Sequence, residues 1–150
     1  MTQKDVDRVL LALYAVREVG EGGGLEQMKA ICYCLRNRVR AGWGEWMDVI
    51  QGADETGAHL MARNGTIDPN NRIYQRLLRD VDDIYFGHSD SPSSLEEGGS
   101  LESSLCDPQH LCCYWCFVDR PVDPEFARTI VRDPENHPHR ATMGNIMFYE

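Results

Sequence analysis

Apolar residues recur at three- and four-residue spacing in two early stretches: Val6, Val9, Leu10, Leu13 and Val16, then Leu25, Met28, Ile31, Cys32, Leu35 and Val39. That period predicts two amphipathic helices, each burying one face. Thr2 or Asp5 can cap the first. Gly20 and the run Gly22 to Gly24 end it, because glycine adopts left-handed conformations that a Cβ disfavours. A short helix is expected around Trp43 to Ile50, then a loop rich in Gly, Asp and Asn to Asn71. A helix from Arg72 to Phe86 follows, burying Ile73, Leu77, Val81 and Ile84. Residues 89–104, with Ser, Gly, Glu and Pro and only two leucines, read as a flexible insertion without a core.

Past that insertion, Cys112 to Phe117 alternates as a strand does, with Tyr114 and Cys116 on one side and Cys113, Trp115 and Phe117 on the other. A short helical piece near Pro124 to Val131 and a strand at Met143 to Tyr149 complete the chain. The two strands are expected to pair antiparallel, and His137-Pro-His139 reads as an exposed turn. The predicted fold class is α+β, mainly helical, with a small antiparallel β-hairpin formed by the C-terminal part.

Composition adds size and charge to this picture. With 150 residues and 42% hydrophobic content, residues 1–150 are expected to form a single domain. Such a domain buries about two-thirds of its unfolded surface and needs neither metal nor disulfide for stability. A formal charge of -9 and a pI near 5.0 argue against nucleic acid as a partner. Arg36 and Arg40 share one side of their helix while Arg38 points elsewhere, which reads as a solvated face or as ion pairs to the excess acids. The polar start Met1-Thr-Gln-Lys-Asp-Val carries no export signal, and no apolar run is long enough to span a membrane. The expectation is a chain that stays cytoplasmic until it is released.

Six cysteines in such a chain are expected to be reduced. Cys32 and Cys34 point to different helix faces and read as core. Cys106, His110, Cys112, Cys113 and Cys116 have the residue types of a zinc site, but the strand alternation places Cys113 and Cys116 on opposite faces. Small-hydrophobe packing is therefore the favoured reading, with no metal and no cofactor expected.

Glu18 is the most informative single position. It falls where the first helix runs into glycine, in Leu13-Tyr-Ala-Val-Arg-Glu-Val-Gly-Glu-Gly-Gly-Gly24. A carboxyl group at the end of a mostly apolar helix, under a second helix, can be partly stripped of water and kept protonated near neutral pH, as a general acid requires. The helix macrodipole pushes in the same direction. A solvated helix-end glutamate is the plain alternative.

The stretches E-V-G-E-G and M-K-A-I-C-Y-C-L-R-N-R-V-R resemble the opening of the cell-wall hydrolase family of spore-cortex-lytic enzymes (SleB/CwlJ type), of the form E-A-x-G-E-G and then G-M-x-A-V-A-x-V-x-x-N-R-V. Met143-Gly-Asn-Ile-Met-Phe-Tyr149 resembles the family's I-G-x-H-x-F-Y. Leu111-Cys-Cys-Tyr-Trp-Cys-Phe117 resembles its G-A-x-Y-F-Y, and Trp46-Met-Asp-Val-Ile-Gln51 its D-V-V-Y-Q. Three departures accompany these matches. The spacing around Gly20-Glu21 differs, making Glu21 the fallback acid; Ile146 stands where the family has histidine; and Gly52 to Gly57 lacks the family's G-Q-F-S.

The resemblance implies a lysozyme-like fold that cleaves the β-1,4 glycan strand of peptidoglycan, as a lytic transglycosylase or a hydrolase, with Glu18 as acid and then base. It also implies action at the bacterial cell wall, in spore-cortex breakdown or phage lysis. A hydrolase would add a second carboxylate, for which Glu21, Asp48, Asp54 and Glu55 are candidates. Sugar clefts use aromatic faces and amides, so Tyr14, Asn37, Tyr114, Trp115, Asn145 and Tyr149 are the candidate substrate-binding residues. Two other classes compete: a non-catalytic wall-binding or phage structural module on the same fold, and a zinc-stapled interaction domain.

Overall fold

Thr2 opens the first helix by capping it. Its Oγ1 accepts from the Asp5 backbone N–H at 3.2 Å while the Asp5 carboxylate accepts from the Thr2 N–H at 2.9 Å, so two otherwise orphaned donors are satisfied reciprocally. The computed structural model describes residues 2–20, 23–53, 70–87, 94–95, 99–100 and 104–150. The chain divides into two compact units, Met1–Ser91 and Pro92–Glu150. The described fold is α+β, mainly helical, with small antiparallel sheets.

The first unit holds α1 (Gln3–Val19), α2 (Leu25–Arg40), α3 (Trp46–Ala53) and α4 (Arg72–Phe86). Helix α1 packs against α2, α3 and α4, and α2 packs in turn on α3 and α4. The central position of α1 explains why its burial exceeds a single stripe: Leu10 to Val16 are all buried, as is Val19. Helix α3 begins three residues later than the pattern predicts. Gly42 and Gly44 take φ of 87° and 146°, which breaks helical geometry, and the Asp48 carboxylate caps the new start by accepting from the Glu45 N–H at 3.1 Å. Asn71 caps α4 and Gly87, at φ 72°, ends it. Leu77, Val81 and Ile84 are buried as expected, and Ile73 is half-buried.

Two polar ties hold these helices in place. Asp7, only 6% exposed, accepts from the Tyr85 hydroxyl and from Gln3 Nε2, both at 2.9 Å, which joins α1 to α4. Tyr85 stacks on Trp46 with ring centroids 5.0 Å apart. Arg36 departs from the solvated face predicted for it. Its side chain is buried, with the guanidinium 4.9 Å from the Tyr33 ring centre and Nη1 donating to the Ile84 carbonyl at 3.4 Å. A cation there complements the negative end of α4.

Among the described residues, the second unit contains three small antiparallel sheets. Strands β1 (Ser94–Leu95) and β2 (Gly99–Ser100) pair with each other, as do β3 (Cys106–Asp107) and β4 (His110–Leu111). The rest of the expected insertion, 89–93, 96–98 and 101–103, lies outside the described residues. The third sheet has the order β5-β7-β6, from β5 (Tyr114–Phe117), β6 (His139–Met143) and β7 (Ile146–Tyr149). Strands β5 and β7 pair antiparallel from Tyr114 opposite Tyr149 to Phe117 opposite Ile146, as the alternation predicts.

The sheet gains a strand that the pattern did not show. Residues 143–149 are not one strand but the end of a hairpin, whose turn is Gly144-Asn145 with Gly144 at φ 58°. Trp115, Phe117, Ile146 and Phe148 form its buried side. Between β5 and β6, Asp123 caps α5 (Pro124–Phe126), which runs into a π-helical turn, Ala127–Val131.

Candidate active site

Glu18 sits in the last turn of α1, half-buried, two positions after the seven consecutive core residues Leu10 to Val16. The helix closes through Gly20, whose N–H donates to the Val16 carbonyl at 2.8 Å at a φ of 93° that favours glycine. The chain then folds back, with the Gly23 N–H donating to the Gly20 carbonyl at 2.9 Å. Gly24 caps α2 and its N–H donates to Gln27 Oε1 at 3.1 Å. A carboxylate is thus carried on a helix that packs against the other three, at the point where that helix leaves the core. The fallback acid Glu21 and the candidate second carboxylates Asp54 and Glu55 lie outside the described residues. Asp48 is exposed and occupied as the cap of α3.

Tyr14, one turn before Glu18, is enclosed: it is 5% exposed and its hydroxyl donates to the Ala53 carbonyl at 3.3 Å, pinning the end of α3 to α1. Asn37 on α2 is fully buried. Both residues therefore belong to the helical core of this unit. An open groove of about 640 Å³ runs along the other end of α1, lined by Asp5, Arg8, Val9, Gln75, Leu78, Arg79 and Asp82. It begins nine residues before Glu18, roughly 14 Å along the helix axis. Its charges are largely matched internally, since Arg8 pairs with Asp82 at 2.8 Å and also with Asp5.

The remaining predicted residues belong to the second unit. Tyr114 and Tyr149 are cross-strand partners on one side of the sheet, whereas Trp115 lies on the opposite, buried side with Phe148. Tyr114 is half-buried, edge-on to His137 at 5.1 Å and to Phe126 at 6.4 Å. Asn145, in the hairpin turn, donates from Nδ2 to both Asp119 carboxylate oxygens at 3.0 and 3.1 Å.

One polar cluster in this unit was not read from the sequence. Glu150 Oε2 accepts from Arg140 Nη2 at 2.6 Å and lies 3.1 Å from His110 Nδ1, while His137 Nδ1 lies 2.8 Å from the Glu150 carbonyl. His137 is consequently half-buried, not part of an exposed turn, and His139 begins β6. Burial opposes ionisation of Glu150, but the hydrogen bonds from Arg140 and His110 outweigh it and hold the carboxyl below its ordinary value. The cluster joins residues about thirty and forty positions apart in sequence, so only the closed sheet reveals it.

Cys32, Cys34, Cys106, Cys112 and Cys113 are buried, and Cys116 is half-buried. Burial pushes the Cys32 thiol up. It also pushes Cys112 up to about 12, helped by the neighbouring Cys106 and Cys113. Among the described residues, no group of three or more His, Cys, Asp and Glu side chains is placed to hold a metal ion, and no helix is long and apolar enough to cross a membrane. No family model, curated protein or solved structure matches the chain.

Proposed function

We propose that the chain is a lysozyme-like glycosidase of the bacterial cell wall that cleaves the β-1,4 glycan strand of peptidoglycan, with Glu18 as its general acid and base. The observation that carries this reading is the half-buried Glu18 in the last turn of a helix in which Leu10 to Val16 are core. A rigid mount and restricted water are what proton transfer to a glycosidic oxygen requires.

In this mechanism Glu18 protonates the leaving oxygen as positive charge develops at the anomeric carbon. The resulting carboxylate then removes a proton from the sugar's own C6 hydroxyl, closing a 1,6-anhydro ring, or from water. Ring closure needs only this one carboxylate, because the nucleophile is already held within the substrate.

A second reading, a wall-binding module without catalysis, is favoured by the enclosure of Tyr14 and Asn37 and by the position of the groove at the far end of α1. Purified peptidoglycan incubated with the protein separates the two. Soluble muropeptides, with anhydro or new reducing ends identified by mass spectrometry, support the glycosidase. Co-sedimentation with the wall and no release supports the module.

A further inference from the structure

The groove between α1 and α4 combines apolar lining with charges of both signs. Val9 and Leu78, both half-buried, supply the apolar part, and Asp5, Arg8, Arg79 and Asp82 stand around them. On one wall the charges are committed. Arg8 donates from Nε to the Lys4 carbonyl at 3.2 Å, from Nη1 to Asp82 Oδ1 at 2.8 Å and from Nη2 to Asp5, whose other oxygen accepts from Thr2. Two groups are left over. Arg79 is exposed and makes no hydrogen bond or ion pair among the described residues, and Asp82, 50% exposed at its side chain, keeps Oδ2 outside its bond to Arg8. These two lie three residues apart on α4, so a cation and an anion are neighbours on one helix face, beside the same apolar lining.

No aromatic ring is among the groove's described lining residues, so a sugar has no ring face to stack on here. The complementary ligand is a short chain that carries a carboxylate for Arg79, an ammonium for Asp82 and small apolar side chains for Val9 and Leu78. Length agrees with this. Gln75 to Asp82, the stretch of α4 that lines the groove, covers roughly 10 Å of helix axis, the reach of about three extended residues. Direction agrees as well. Lys4 lies over the Phe86 ring, 5.9 Å from its centre, while Arg8 pairs with Asp82 one turn back, so α1 and α4 run antiparallel. Passing along α4 from Asp82 to Gln75 therefore goes toward the end of α1 that carries Glu18.

We propose that this groove binds the peptide stems of peptidoglycan, with Arg79 holding a stem carboxylate and Asp82 the ammonium of the stem's diamino acid. The stems bring the matching set of groups: alanine methyls, the free carboxylate of a glutamate and the side-chain ammonium. Arg79 offers the carboxylate a planar fork of donors, and Asp82 accepts the ammonium through the oxygen that Arg8 does not use. The inference rests on peptidoglycan being the target, as in the proposed function, but not on cleavage. It assigns the preference for peptide-bearing over bare glycan to α1 and α4 and leaves the chemistry to Glu18.

The test is an NMR titration of the isotope-labelled full chain with two probes: the N-acetylated tetrapeptide L-alanyl-γ-D-glutamyl-L-lysyl-D-alanine, and the peptide-free β-1,4 tetramer of N-acetylglucosamine. The tetrapeptide should shift the backbone amides of Arg8, Val9, Leu78, Arg79 and Asp82 saturably. Arg79→Gln should weaken that binding by roughly tenfold or more, the loss expected for one charge-assisted hydrogen-bonded contact. Arg79 is exposed, so this variant keeps the fold. Arg76→Gln, which removes an exposed arginine of α4 outside the groove, should stay within about twofold of wild type. No saturable shift with the tetrapeptide, equal affinity in Arg79→Gln, or the same amides shifted by the bare tetramer would overturn the assignment. Binding is read without turnover, so the two readings fail separately. Tetrapeptide binding with no release of muropeptides from the wall would sink the glycosidase alone, and release without tetrapeptide binding would sink the groove assignment alone.

Discussion

Val19 Cγ1 occupies the space that a Cβ on residue 23 would need, so the chain leaves α1 and turns back toward α2 only because position 23 is glycine. The collision is with a β-branched side chain that is stiff at χ1 and buried, which leaves little room for adjustment. Gly23→Ala is expected to destabilise the first unit by about 1–3 kcal/mol through overpacking. Val19→Ala in the same chain should recover part of that loss. Denaturant unfolding of the wild type, both single variants and the double variant measures the coupling, and strict additivity would show that the two residues do not meet. Because Glu18 lies between α1's core and this turn, Gly23→Ala should also lower the rate of glycan cleavage.

The bond from the Tyr85 hydroxyl to Asp7 makes a prediction at high pH. Burial first, then the hydrogen bond and charge of Asp7, push the Tyr85 phenol up to about 12. From an ordinary value of about 10 up to that point the folded state keeps a proton that the unfolded state has lost. Stability therefore falls as pH rises through the window, and this part of the slope should vanish in Tyr85→Phe. Phenolate ultraviolet absorbance should show a late-titrating component in the wild type that moves closer to normal in Asp7→Asn. At neutral pH, Tyr85→Phe keeps the stacking on Trp46 but removes one of the two donors to the buried carboxylate, at a cost of about 1–3 kcal/mol in denaturant unfolding.

The Glu150 cluster makes the opposite prediction at low pH. A carboxyl held below its ordinary value stabilises the fold above that value, and the contribution is lost as pH falls through the lowered one. Glu150 and Arg140 are 27% and 34% exposed, so solvent screening limits the effect to at most about 1 kcal/mol. Acidification should therefore destabilise wild type slightly more than Glu150→Gln in thermal melts. Equal losses would show that the pair contributes nothing.

Local pattern made the helices legible. The spacing of Leu77, Val81 and Ile84 and the cap residues Thr2, Asn71 and Gly87 specify where α1 and α4 run, because these signals act within a few residues of one another. Of the two readings for Arg36, a solvated face or ion pairs, the solvated face fails because its buried guanidinium depends on the carbonyl of Ile84, 48 positions away. The β6–β7 hairpin left a signal that could have been used: Gly144-Asn145 between Met143 and Ile146 is a two-residue turn between apolar neighbours. For the site, helix periodicity was enough to place Glu18 at the end of α1. Sequence offered no means of telling that Tyr14 and Asn37 are enclosed, since both lie at positions whose burial is decided by α3 and the other helices packed around them.

The role of Glu18 is tested most directly by comparing cleavage rates of purified peptidoglycan by the wild type and Glu18→Gln, with circular dichroism confirming that both are folded. Loss of the acid should reduce the rate by about 10²–10⁴-fold while wall binding persists. A variant that releases muropeptides within a factor of about two of wild type would contradict the assignment, since a general acid of this kind contributes at least about a hundredfold.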